Sequence, residues 1–283
     1  MTGMTDGIIV GYAGSTGSDE ELRWAAREAW ARGTALTICL AWPAPDLLRL
    51  GDWGAHDRAQ HLGGEILARG VQLAGAVPDL TDVRTVLSEG SPARVLCERS
   101  SAAEMIVVGS RGHGGMADSW LGSVSWQVAC HGQGRVVVVV VRGRWRPVNQ
   151  SPGPVVAGVD GSPESLDALT FAFEEAALRD VPLVAVCALS DAPGKVGGAA
   201  RMEEDFSRQM TLHEKDHPEI TVLRQVTFGA PRSALLTAAA EAQMLVVGAR
   251  GLTGLDGMNL GSVASSLVHH SPCPVAVAHL AAR

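Results

Sequence analysis

Short apolar runs alternate with longer stretches of mixed polarity along this chain, and the whole alternation occurs twice. In the first half, residues 8–12, 35–41, 83–87, 104–109 and 135–141 are runs dominated by Val, Ile, Leu and Ala, too short for buried helices, and they predict strands. Leu22, Ala25, Ala26 and Ala29 recur at helical spacing within 18–32, and Gly33 supplies the stop. A glycine-interrupted pattern over 55–76 predicts a second helix. A third opens at Pro92, with Ser91 as its N-cap, and runs to Ser101; a fourth covers 121–130. The second half repeats the order, with strands near 155–159, 182–188, 221–227, 243–248 and 274–279. Apolar strands alternating with helices predict an α/β fold with parallel sheets covered on both faces. Right-handed crossovers make each sheet doubly wound, with a ligand crevice at the carboxyl ends of the strands.

The repeat is sharpest in its glycines. Gly109, Gly112 and Gly122-Ser123 read G, two residues, G, nine residues, G-S, and Gly248, Gly251 and Gly261-Ser262 repeat this 139 residues later. Gly90-Ser91-Pro92-Ala93 and Gly229-Ala230-Pro231-Arg232 share that offset. The first-strand segments, Ile9 to Ser15 and Val156 to Ser162, stand 147 residues apart instead, so the middle of the second copy is shorter. A repeat of this length is a domain rather than a solenoid unit. Residues 142–154 hold three Arg, three Pro and two Gly without an apolar pattern, which suits a connector. A boundary near Asn149 gives domains 1–149 and 150–283.

A strand feeding a glycine loop and then a helix is the geometry of a phosphate cradle. Glycine lets an anion approach backbone N–H groups without a Cβ clash. Gly261-Ser262 stands at the start of the following helix, where free N–H groups and the positive end of the dipole attract phosphate. Asp160, at the end of a first strand, can accept hydrogen bonds from ribose hydroxyls. The first copy has Ala13 there, and a methyl group cannot replace those bonds.

These residues resemble the universal stress protein family, and the chain resembles a tandem member over nearly all of both copies. G-2x-G-9x-G-[S/T] is the mark of that family's ATP-binding subgroup. The resemblance implies two five-stranded sheets of order 3-2-1-4-5, an adenine-nucleotide ligand (ATP, with or without magnesium), pairing of the domains within the chain or as a homodimer, and a stress-response role. By this resemblance the nucleotide-binding positions are Asp160, Ala188, Val247, Gly248, Gly251, Gly261, Ser262 and Val263 in the second copy. In the first they are Ala41, Val108, Gly109, Gly112, Gly122, Ser123, Val124 and Ser125. The second copy is the expected ATP site and the first a weak or silent one.

The net charge of −7 and pI of about 5.7 argue against non-specific nucleic-acid binding. No run reaches the ~18 apolar residues of a membrane span, and the N-terminus has no basic segment ahead of an apolar core, so a cytoplasmic address is expected. Five cysteines without Cys-x-x-Cys spacing read as reduced, partly buried thiols. His213-Glu214-Lys215-Asp216-His217 spells H-E-x-x-H, but Pro218 ends the helix at once and the flanks are charged, so it reads as a solvated helix end. His269, His270 and His131 read as helix-end residues, and Trp120 and Trp126 as packing residues.

Three functions fit. The first is a nucleotide-binding regulator; no general base, carboxylate pair for magnesium or phosphate-loop lysine is evident, so catalysis is not expected beyond slow ATP hydrolysis or autophosphorylation. The second is an adenylyl-transferring enzyme of related fold, whose Ser-Gly-Gly-x-Asp-Ser or His-x-Gly-His signatures are absent. The third is a nucleotide-independent dimerisation module.

Overall fold

A computed structural model describes residues 6–42, 54–110, 121–139, 153–189, 198–252 and 259–280. The chain divides into two compact units, Met1–Val141 and Arg142–Arg283. The boundary expected near Asn149 and the tip of the first glycine loop, Gly112 included, lie outside the described residues.

In unit 1 the elements run β1 (Ile8–Gly11), α1 (Thr16–Arg32), β2 (Leu36–Trp42), α2 (Ala55–Ala74), β3 (Val83–Glu89), α3 (Pro92–Ser100), β4 (Met105–Gly109), α4 (Ser123–His131) and β5 (Arg135–Val139). All strands are parallel, in the order β3-β2-β1-β4-β5. Ile8 stands opposite Leu36 on one side and Met105 on the other. Helices α1 and α2 pack together on one face, α3 and α4 on the other. Covered on both sides, Ile8, Ile9, Val10, Ile106 and Val107 lose all solvent contact. Each such side chain contributes about 1.5–3 kcal/mol.

Unit 2 repeats the plan: β6 (Val155–Gly158), α5 (Pro163–Arg179), β7 (Leu183–Leu189), α6 (Gly198–Asp216), β8 (Val222–Phe228), α7 (Pro231–Ala238), β9 (Met244–Gly248), α8 (Ser262–His270) and β10 (Val275–Ala278). Its order, β8-β7-β6-β9-β10, is again parallel throughout. The doubly wound five-stranded architecture is therefore the one the sequence predicts, in each unit.

Local chemistry sets the ends of the helices. Ser15 caps α1 by accepting from the Ser18 N–H, and the Ser18 hydroxyl closes a capping box. Ser162 caps α5 in the same way through the Ser165 N–H. Gly33 ends α1 in the left-handed region at φ 64°, and its counterpart Asp180 ends α5 there at φ 52°. Ser91 holds the expected N-cap position of α3, but its hydroxyl makes no capping bond. Only its carbonyl is used, by the Val95 N–H.

Candidate functional site

In unit 2 the chain leaves β6 toward β7 and later returns to the other side of β6 as β9. Loops after β6 and β9 therefore diverge to opposite faces, and a crevice opens between them. A cleft of about 400 Å³ lies there. Asp160, Ala188, Val247, Gly248, Gly251, Gly261, Ser262 and Val263, the eight positions singled out in this half of the sequence, all line it. Its apolar walls also take in Val159, Val186, Met202 of α6, and Pro231 and Leu235 of α7. Of these, the repeated Gly-x-Pro turn marks Pro231 in the sequence; nothing local marks Met202 or Leu235. A smaller hollow of about 250 Å³ adjoins the cleft, sharing Val159, Asp160, Met202 and Leu252 with it and floored by Cys187 and Phe206.

The N-terminus of α8 points its free donors into this cleft. Its N-cap residue is Gly261, which has no side chain to cap with. The first helical bond is made by Ser265 N–H to Gly261 O at 2.9 Å, so the N–H groups of Ser262, Val263 and Ala264 precede the ladder. Gly261 is itself held by its N–H to Ala249 O at 2.7 Å, which draws the helix start onto the loop after β9. Three main-chain donors at the positive end of a helix suit an anion.

Asp160 sits just beyond β6 and ties two loops together. Its Oδ1 accepts from the Ser162 N–H at 3.0 Å and the Ser162 hydroxyl at 2.6 Å. Its Oδ2 accepts from the Leu252 N–H at 3.0 Å, across to the glycine loop. A carboxylate offers about four acceptor directions, so three protein donors leave one for a ligand. Gly251 has a clear steric reason: a Cβ there would come within 2.5 Å of Asp160 Oδ2. Arg250, overlooked at the level of sequence, is the one cation among the cleft's described lining residues. Its Nε lies 2.9 Å and its second guanidinium nitrogen 2.7 Å from Glu164 Oε1, on the first turn of α5.

The corresponding edge of unit 1 is built differently. Ala41 ends up on β2, Val108 and Gly109 close β4, and Gly122, Ser123, Val124 and Ser125 enter α4. The repeat register pairs Ala13 with Asp160, Gly17 with Glu164, Glu21 with Ala168 and Ser125 with Ala264. Ser125, expected among the ligand contacts, donates its hydroxyl to Gly109 O. Glu21, 3% exposed, sets its carboxyl against the opposite side of Gly109, so close that a Cβ on that glycine would overlap it. Burial pushes the Glu21 carboxyl well above its ordinary range, against the opposing pull of the Gly109 N–H. Tyr12, the counterpart of Val159, lays its ring against Gly70 of α2 and donates its hydroxyl to Asp19 Oδ1 at 2.8 Å. Burial and that bond hold the Tyr12 phenol up at about 12.

The other motifs resolve as packing. His213 and His217 both stack on Phe173 of α5, ring centres 5.3 Å away in each case, and α6 stops at Asp216. These histidines are thus half-buried packing residues rather than the solvated helix end expected of them. Among the described residues no three His, Cys, Asp or Glu gather as a metal site. His131, His269 and His270 each bond through Nδ1 to the carbonyl one turn earlier, at the ends of α4 and α8. The cysteines are free thiols, and burial pushes Cys39, Cys187 and Cys273 up to about 11, away from thiolate chemistry. No helix among the described residues is long and apolar enough to cross a membrane.

Comparison with known proteins agrees with this architecture. Residues 4–140 and 153–279 each match the model of the universal stress protein family. A universal stress protein of Mycolicibacterium smegmatis is 34% identical over 286 residues, spanning 96% of either chain. One of Mycobacterium tuberculosis is 35% identical over 290 residues, again 96% of either chain. Among solved structures, a universal stress protein from Archaeoglobus fulgidus superposes with a TM-score of 0.72 at 22% identity, covering 97% of this chain and 96% of that one. One from Pseudomonas aeruginosa gives 0.63 at 16% identity, covering 97% and 93%. These structures bear on the fold alone, whereas the family match spans both units: the chain belongs to the universal stress protein family and carries two of its domains in tandem.

Proposed function

We propose that unit 2 binds an adenine nucleotide, ATP in particular, and that the chain is a nucleotide-responsive regulator rather than an enzyme. The observation that carries this reading is the meeting, in one cleft, of an uncapped helix start, a glycine loop and Asp160. The β- and γ-phosphates take the N–H groups of Ser262, Val263 and Ala264. A ribose hydroxyl takes the remaining acceptor direction of Asp160. The base lies on Val159, Val186, Ala188, Leu235 and Val247. Apart from Asp160, the cleft's described lining residues bring no carboxylate, so magnesium, when present, is carried by the phosphates and water.

Unit 1, with Ala13 in place of the aspartate and the Ser125 hydroxyl bound to Gly109 O, binds weakly or not at all in this reading. Domains 1–149 and 150–283 would then differ in role, the second sensing nucleotide and the first serving as scaffold.

The test is to denature freshly purified protein and identify any released nucleotide by mass, with its amount per chain. Close to one ATP per chain supports the reading. No released nucleotide, and no heat on titrating ATP to millimolar concentration, overturns it.

A further inference from the structure

The glycine loop after β9 is held by more than its own backbone. Three ties run from it to the start of α5. Leu252 N–H donates to Asp160 Oδ2 at 3.0 Å, Arg250 O lies 3.3 Å from the Ser162 hydroxyl, and the Arg250 guanidinium grips Glu164. The last tie joins unlike partners. The Glu164 side chain is 8% exposed and that of Arg250 45%. Glu164 is therefore the anchored partner, fixed in the first turn of α5 behind its Ser162 cap, and Arg250 is the movable one. Gly248 adds a steric clue, because a Cβ there would come within 2.8 Å of the Glu164 Cβ and the Ser165 nitrogen. The loop thus lies flat on the first turn of α5, and an ion pair spans the joint. Unit 1 has Gly17 where Glu164 stands and Ala13 where Asp160 stands, so two of these ties have no counterpart there.

We propose that Glu164 is a positioning residue of the nucleotide cleft. By holding Arg250 it keeps the loop between Gly248 and Leu252 in the conformation that receives phosphate, before any ligand arrives. Ordering that loop in advance removes an entropic cost from binding. The inference rests on the nucleotide reading above, and it differs in sign from a rival role for the same pair. If Arg250 itself bound phosphate, Glu164 would compete for it, and removing Glu164 would strengthen binding.

The experiment compares the full chain with Glu164→Gln, Arg250→Gln, the double variant and Arg250→Lys, titrating ATP and AMP by calorimetry. Each single glutamine variant is expected to weaken ATP about two- to fivefold, the scale of a half-exposed ion pair. The double variant is expected to be no worse than the weaker single, because both remove one interaction. Lysine at 250 restores part of the loss by keeping one charge-assisted bond to Glu164. In the nucleotide-free chain, the Leu252 amide should exchange with deuterium faster in Glu164→Gln while the melting temperature holds.

Tighter ATP binding by Glu164→Gln with AMP unchanged overturns the proposal in favour of direct phosphate contact. Unchanged affinity and unchanged Leu252 exchange overturn it as well. A wild-type chain that binds neither nucleotide sinks the nucleotide reading and this inference together.

Discussion

Asp160 joins local structure to proposed function most directly. Asp160→Ala removes an acceptor from Ser162, one from Leu252 and the proposed ribose contact. ATP affinity is expected to fall about 10- to 150-fold, the loss of a charge-assisted hydrogen bond. Asp160→Asn, which keeps one acceptor oxygen, should fall less, and calorimetric titration of both variants checks the order. Glu21 makes a separate prediction about pH. Burial makes its carboxyl hold its proton to higher pH in the folded chain than in the unfolded one. Its stabilising contribution is complete below the ordinary carboxylate value of 4.5 and declines as pH rises from there toward the elevated folded value. Glu21→Gln should therefore be neutral near pH 4 and raise the melting temperature of unit 1 as pH rises above the ordinary carboxylate range. A variant that melts lower at the higher pH would contradict this. The glycines of the unit 2 cleft were legible because they recur as a spaced motif, and Asp160 because it ends a first strand. Glu21 was not, because a single glutamate on a helix reads as solvent-facing until the packing against Gly109 is seen.

The helices after the first strands carry a matched device. In α1, Arg32 Nε bonds Glu28 Oε1 at 2.9 Å, and in α5 Arg179 bonds Glu175, one turn apart in each helix. Both carboxylates are 0% exposed, and the Arg179 side chain is 2% exposed. Glu175→Ala takes away the carboxylate that the buried Arg179 guanidinium bonds, and a loss of about 3–5 kcal/mol is expected from urea unfolding. Replacing the pair together, Glu175→Leu with Arg179→Met, should cost far less, since the desolvation penalty leaves with the charges. Element boundaries followed the sequence closely because apolar runs and stop signals are local. The H-E-x-x-H segment shows the limit of that locality. Its spacing belongs to the helix, but its use is set by Phe173 on a neighbouring helix, and no local pattern reports a neighbour.

For the molecule as a whole, the prediction is asymmetry between two copies of one fold. Saturating ATP should raise one unfolding transition and leave the other in place. At a ligand concentration about a hundredfold above Kd the gain is about 2.7 kcal/mol for the occupied unit. Differential scanning calorimetry with and without ATP checks this, and equal shifts in both transitions would argue for two working sites. From sequence alone came the tandem repeat, the parallel doubly wound class, the eight cleft positions of unit 2 and the missing aspartate of unit 1. Periodicity, glycines at fixed spacing and direct comparison of two copies encode the repeat, the class and the missing aspartate, whereas Ala188, Val247 and Val263 were placed in the cleft by the family resemblance. Tertiary structure alone decided that Met202 and Leu235 wall the cleft, that Arg250 is held by Glu164, and that Glu21 and Ser125 close on Gly109. Such contacts join residues distant in the chain, and their energy depends on distance and burial, which only the folded arrangement sets.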